Sequence, residues 1–413
     1  MVFIPFVYFT ILTLWIRLRH GGWDVASFLT AVYAFSALFS IIAFSMGDWN
    51  LNGLCPQHNP STLATFAYCT LLTITFIPFI RMNNRAIGSI PLEKGKAVDI
   101  LSWGLIFTFI TTLVYLFTDI QDVLSGDLRV VRNLVYADVE RETPSGYKYL
   151  LALPATLFSQ YSPIAIFLFY YNICFRSKSI WFNLLLLLSS LTPILLAILI
   201  AGRTQPVYWV FNFMLGFVFF SPYMHRKQKL WISIPSLTII TLLLIFMTAV
   251  TISRFGDINA FAAVCNYAGQ PFLNFCYFFD VYRDNFFSLQ RLLPFTDYFI
   301  MRNHFDLFAY RDTIMAETGL NIGIFYTFLG DLMIDLTHIG MVVYILLYCA
   351  ISIFFLQRPR PDTMPFYQLF IFLILILIPL QGLFYYSYYK VDTAYFYIGS
   401  SLLACFFKYR YRI

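Results

Sequence analysis

Four stretches of this sequence, residues 98–118, 180–201, 230–252 and 365–387, stay apolar over the ~20 residues an α-helix needs to cross a hydrocarbon core. Runs this long and this poor in charge do not suit the core of a soluble domain. They are also too continuous for the alternating strands of a membrane barrel. The rest of the chain agrees. Apolar residues make up 60% of its 413 positions, charged residues 12%, and mean hydropathy is +0.73. A water-soluble domain carries about a quarter charged residues to face solvent. The pattern predicts an all-α polytopic membrane protein, one transmembrane domain over residues 1–413, with about eleven spans. They fall near 3–16, 25–46, 63–80, 98–118, 149–175, 180–201, 206–224, 230–252, 336–356, 365–387 and 393–407. The first run is followed by Arg17, Arg19 and His20, the reverse of a cleaved signal peptide's charge order, so it reads as a retained span.

The short connections sort by charge. One set holds Arg17/Arg19, Arg81/Arg85/Lys94/Lys96, Arg176/Lys178, Arg226/Lys227/Lys229, Arg358/Arg360 and Lys408/Arg410/Arg412; the opposite short connections hold only Arg203 and Lys390. Basic residues accumulate on the cytoplasmic side, which predicts an outside (periplasmic) N-terminus and a cytoplasmic C-terminus. Every Asp and Glu except Asp24, Glu93, Asp99 and Asp362 falls on the outer side. Two large outer loops, 119–148 and 253–335, result. A net charge of +6 is explained by topology and does not imply nucleic acid. The seven cysteines form no CxxC pair and give no metal framework. Cys55, Cys265 and Cys276 lie in outer connections, where a disulfide is allowed but not required. Related halves and ionisable groups within the spans, expected of an ion-coupled transporter, are not evident.

Polar chemistry therefore belongs to the outer face. Arg203, in the turn Ala201-Gly202-Arg203-Thr204-Gln205-Pro206, stands at a membrane boundary, where its planar fork suits a lipid-linked phosphate. The competing reading is an arginine that snorkels to the headgroups. Arg254, in Ser253-Arg254-Phe255, is a second boundary arginine, and two guanidiniums would match a pyrophosphate. Arg129 and Arg132 in the first large loop are further cationic contacts. Asp119 and Asp122 in the same loop offer a carboxylate pair if the helix continues, although a hard cation needs more oxygen ligands. The second loop holds Arg283, Arg291, Arg302, Arg311 and His304 among many aromatics. His304 is the outer histidine best suited to general base work, while His338 falls at the start of span nine.

These residues and their placement resemble the O-antigen polymerase (Wzy-type) family and the related O-antigen ligases, and the architecture resembles GT-C-type glycosyltransferases. The local features are Gly202-Arg203-Thr204 opening a span, Ser253-Arg254-Phe255 closing one, and Asn321-x-Gly323-x-x-Tyr326 followed by Asp335 and Gly340. The resemblance implies metal-independent glycosyl transfer without a cofactor, on the outer face of a bacterial inner membrane. The substrate would be an oligosaccharide repeat unit linked to undecaprenyl pyrophosphate. Membrane lipids, a chain-length regulator and a flippase are the implied partners. Arg203 and Arg254 would hold the pyrophosphate, and His304 or Asp335 would act as the base. Arg129, Arg132, Arg302, Asn321 and Tyr326 would contact substrate. Leu320-Asn321 stands where the ligases place a histidine-asparagine motif, which argues against ligase. A ligase, a metal-dependent transferase using Asp119 and Asp122, and a non-enzymatic flippase are the rival readings.

Overall fold

The computed structural model describes residues 1–46, 58–93, 96–125, 147–198, 202, 204–255, 260–292, 307–357, 362–386 and 391–412. Among these residues the chain is helical, without a β-strand. The helices are α1 (Phe3–His20), α2 (Val25–Ser45), α3 (Thr62–Met82), α4 (Ala97–Ser125), α5 (Tyr147–Phe158), α6 (Ser162–Phe175), α7 (Ile180–Ser189), α8 (Thr192–Ile198), α9 (Thr204–Phe220), α10 (Arg226–Phe255), α11 (Ala260–Val281), α12 (Leu307–Thr318), α13 (Thr327–Leu356), α14 (Tyr367–Gln381) and α15 (Val391–Arg412). Each of the eleven stretches read as a span carries helix. Among the described residues, five are long and apolar enough to cross a membrane: Val25–Ser45, Thr62–Ala86, Ala97–Phe117, Tyr149–Phe175 and Thr327–Leu356. The pair α7 and α8, bent by 42°, makes a sixth if it is one broken span.

The surfaces of these helices explain what surrounds them. On α4, Ile100, Trp103, Phe107, Ile110, Val114 and Phe117 are exposed at helical spacing. On α13, Ile339, Val343, Leu346 and Phe354 are exposed in the same way. Continuous apolar stripes of this kind are rare on proteins that face water and carry no penalty against lipid. The fold is that of a multi-pass helical membrane protein.

Two compact units divide the chain: residues 1–90 with 261–413, and residues 91–260. In the first unit, local sequence signals set the helix ends. Helix α1 stops at Gly21, whose φ of 72° is the left-handed conformation that glycine adopts freely. Helix α2 starts at Asp24 with a reciprocal capping box, in which Asp24 Oδ1 accepts from Ser27 N and Ser27 Oγ accepts from Asp24 N, both at 2.9 Å. Ser61 Oγ caps α3 by accepting from Ala64 N at 3.0 Å. In the second unit, Asp99 near the start of α4 takes Arg176 bidentately, at 2.8 and 3.1 Å, and Lys178 at 2.9 Å. This ties α4 to the α6–α7 connection.

The stretch 253–335, which hydropathy reads as one outer loop, holds the helices α11 and α12 and the first turns of α13. Asn266, Gln270, Pro271, Asn274 and Asp280 break up the apolar run of α11. Yet Ala262, Ala263, Cys265, Phe272, Phe275, Cys276 and Phe278 are buried. Burial succeeds because polar groups are answered: Asn274 Nδ2 donates to Phe325 O at 2.7 Å. Cys265 and Cys276 are free and buried on this helix, and Cys55 lies outside the described residues. In the first large loop the helix does continue, because α4 runs to Ser125 and so carries Asp119 and Asp122 three positions apart.

Candidate functional site

The first unit buries one arginine between two aspartates. Asp331 and Asp335 stand four apart on α13, which puts both on one face of the helix. Arg291 comes from the segment that follows α11. Its Nε and Nη2 donate to the two oxygens of Asp335, each at 2.8 Å. Its Nη1 donates to Asp331 Oδ1 and, at 3.3 Å, to the Tyr326 hydroxyl. Tyrosines complete the shell. Tyr310 of α12 donates to Asp335 Oδ1 at 2.5 Å, and Tyr326 donates to Asp331 Oδ1 at 2.7 Å. The Tyr386 backbone N–H, beyond α14, donates to Asp331 Oδ2 at 2.5 Å. Each carboxylate thus receives three donors, while Arg291, Asp331 and Asp335 are only 3%, 2% and 1% exposed.

The backbone holds this arrangement in place. The N–H groups of Tyr326, Thr327 and Phe328 at the start of α13 would be orphaned, as at any helix start. They donate instead to Phe384 O, Phe384 O and Gly382 O in the turn after α14, at 3.2, 3.0 and 2.8 Å. Ser288 N donates to Asp335 O at 2.9 Å, and the Tyr282 hydroxyl to Ile334 O at 3.0 Å, so the strand of chain leading to Arg291 lies along the helix. At Thr337 the backbone leaves helical geometry, with φ 70° and ψ 172°, and α13 bends immediately after the cluster. Burial alone would lower the Arg291 pKa. The carboxylates of Asp331 and Asp335, with Tyr326 and Tyr310, outweigh it and hold the guanidinium well above the ordinary arginine value. Burial pushes the Tyr310 phenol well above the usual tyrosine range, so it remains a donor.

A second polar group flanks the bend. His338 Nδ1 lies 2.7 Å from Asp284 Oδ1, which also accepts from His338 N at 3.0 Å. His338 Nε2 is 3.1 Å from Phe279 O, so both ring nitrogens face oxygen. On α11, one residue beyond Phe279, Asp280 receives Ser61 Oγ at 2.5 Å and lies 2.7 Å from His58 Nε2. The connection before α3 is thereby joined to the end of α11.

Of the residues singled out from sequence, Tyr326 and Asp335 are brought together through Arg291. Asn321 lies apart from that cluster in a local turn, its Oδ1 accepting from Gly323 N at 2.8 Å. Arg254 falls in the last turn of α10. Arg129, Arg132, Arg203, Arg302 and His304 lie outside the described residues. Asp335, named as a base, has both oxygens engaged by Arg291 and Tyr310. In the sequence Arg291 is one of several arginines of the second outer stretch with no role attached to it, and Asp331 and Tyr310 belong to none of the quoted motifs. The available signal was the pair Asp331/Asp335 at helical spacing in an otherwise apolar stretch, because carboxylates inside such a helix call for a cationic partner. Among the described residues, no three His, Cys, Asp or Glu side chains gather as a metal site requires. Comparison of the chain with protein-family models, curated proteins and solved structures finds no match.

Proposed function

We propose that this chain is a polymerase of lipid-linked oligosaccharide repeat units. It would transfer a growing glycan from undecaprenyl pyrophosphate to a new lipid-linked unit on the outer face of a bacterial inner membrane. In this reading the chain crosses the membrane about eleven times, with its N-terminus periplasmic and its C-terminus cytoplasmic. The observation that supports it is the gathering of polar side chains from separate outer connections in one unit. His58 precedes α3, while Asp280, Asp284, Arg291 and Tyr310 come from the second outer stretch. Asp331, Asp335 and His338 belong to the first half of α13.

The chemistry asks for two things. Charge developing on the departing pyrophosphate must be stabilised, which is the task of Arg203 and Arg254, supported by Arg129 and Arg132. A base must take the proton of the attacking hydroxyl as the new glycosidic bond forms. Asp335, closed off by Arg291 and Tyr310, serves in this reading as a positioning residue, which leaves His304 as the base. Arg302 and Asn321 complete the substrate side, while Tyr326, buried against Asp331 and Arg291, is with Asp335 a positioning residue.

Arg203→Ala or Arg254→Ala should leave membrane insertion intact and abolish long glycans, so that cells carry single repeat units on their lipid core. Gel analysis of the surface glycan reads this directly. Normal chain length in both variants would refute the assignment of the arginines, and loss of single units as well would point to a ligase or a flippase. Purified protein should keep its activity after chelation of divalent cations. A loss restored by added metal would favour the metal-dependent transferase.

A further inference from the structure

The second unit carries a patch of cations that none of the described residues answers. Arg226, Lys227 and Lys229 occupy the first turn of α10, which contains no acidic residue. Among the described residues no ion pair or ring contact engages them. Several other basic residues are partnered: Arg176 and Lys178 by Asp99, Arg17 by the Trp23 ring at 4.4 Å and Arg19 by the Trp15 ring at 5.1 Å. The position is also electrostatically adverse, since a helix start is its positive end and cations there destabilise it. The turn is nevertheless fixed. Gln228 Nε2 donates to Ile173 O at 3.0 Å while its Oε1 accepts from His225 N at 2.8 Å.

Directly beside the cations, an open depression of about 250 Å³ on one face of α10 is lined by Lys227, Leu230, Trp231 and Ile234. Trp231 and Ile234 are 69% and 70% exposed. The apolar surface continues along the helix through Leu237, Leu242 and Ile245, all exposed. A cationic head beside an apolar trough, with an indole at the junction, matches an amphiphile that has a negative headgroup and a hydrocarbon tail.

We propose that the start of α10 is a binding site for an anionic phospholipid. The Lys227 ammonium and its neighbouring cations hold the phosphate, and an acyl chain lies against Leu230, Trp231 and Ile234. The site is independent of the polymerase reading. Its occupant is a bilayer phospholipid, which supplies the negative charge that the helix start lacks.

The test uses full-length protein in phosphatidylcholine nanodiscs, doped with phosphatidylglycerol bearing brominated acyl chains. The signal is the tryptophan quenching lost in Trp231→Phe. Quenching should saturate at a low fraction of brominated phosphatidylglycerol, and the same fraction of brominated phosphatidylcholine should give none. Lys227→Gln should shift the midpoint about fivefold, as expected for one cation near a charged headgroup, and Lys227→Arg should preserve it. Equal quenching by the two lipids, or an unchanged midpoint in Lys227→Gln, would overturn the site.

Discussion

Arg291→Met is expected to destabilise the first unit by about 3–5 kcal/mol, the cost of removing one partner from a buried ionic group. Two aspartates would then remain under 3% exposed with no cation. The hydroxyls of Tyr310 and Tyr326 and the N–H of Tyr386 do not replace a full charge. The penalty belongs to the abandoned carboxylates rather than to the attraction lost. Adding Asp331→Asn and Asp335→Asn to Arg291→Met should therefore recover much of the stability, because amides are cheaper to bury than charges. Thermal unfolding of the purified protein reads both effects. A triple variant no more stable than Arg291→Met alone would show that the cluster acts by packing rather than by charge balance.

The second large effect is expected at Gly269, where α11 presses on the backbone of α2. A Cβ at this position would lie 2.4 Å from Phe39 O, 2.5 Å from Phe39 C and 2.6 Å from Ser40 N. No side chain is available there to swing aside. Ser36 Oγ and Ser40 Oγ donate to Ala268 O and Gly269 O, each at 2.7 Å, so separating the helices also breaks two hydrogen bonds. Gly269→Ala should cost about 3 kcal/mol, the upper part of the range for overpacking. Gly104→Ala is the matching control, since nothing lies within 4 Å of a Cβ at that position of α4. It should be neutral or mildly stabilising, as alanine is the better helix former. Comparing the melting temperatures of the two variants checks the contact, and similar losses in both would refute it.

The helices were legible because a span needs only a long apolar run, which is a local property of the chain. Helix α11 escaped for the complementary reason. Its Asn274 and Asp280 look like loop residues until partners distant in sequence, Phe325 O and Ser61, are known. The site followed the same division. Tyr326 and Asp335 were visible from a short motif near the start of α13. Arg291 was one arginine among several in the second outer stretch, and its partners lie 40 and 44 residues away. No periodicity records a pairing at that distance. The break at Thr337 (φ 70°, ψ 172°) was hidden in another way: hydropathy starts the span at 336 and reads the helical turns before it as loop, so the boundary was seen but not the helix on its far side.

Asp335 binds Arg291 on one side and Tyr310 on the other, so two points of the chain meet on a single carboxylate. In polymer terms this is a non-covalent cross-link that closes the intervening segment into a ring. The entropic cost of such a closure grows only with the logarithm of the enclosed length, about 0.6 kcal/mol for each doubling. Insertions between the two anchors should therefore weigh little on the fold. Arg302 and His304 fall between the two anchors in the sequence, so the length of the chain that carries them can vary while Arg291 and Tyr310 stay on Asp335.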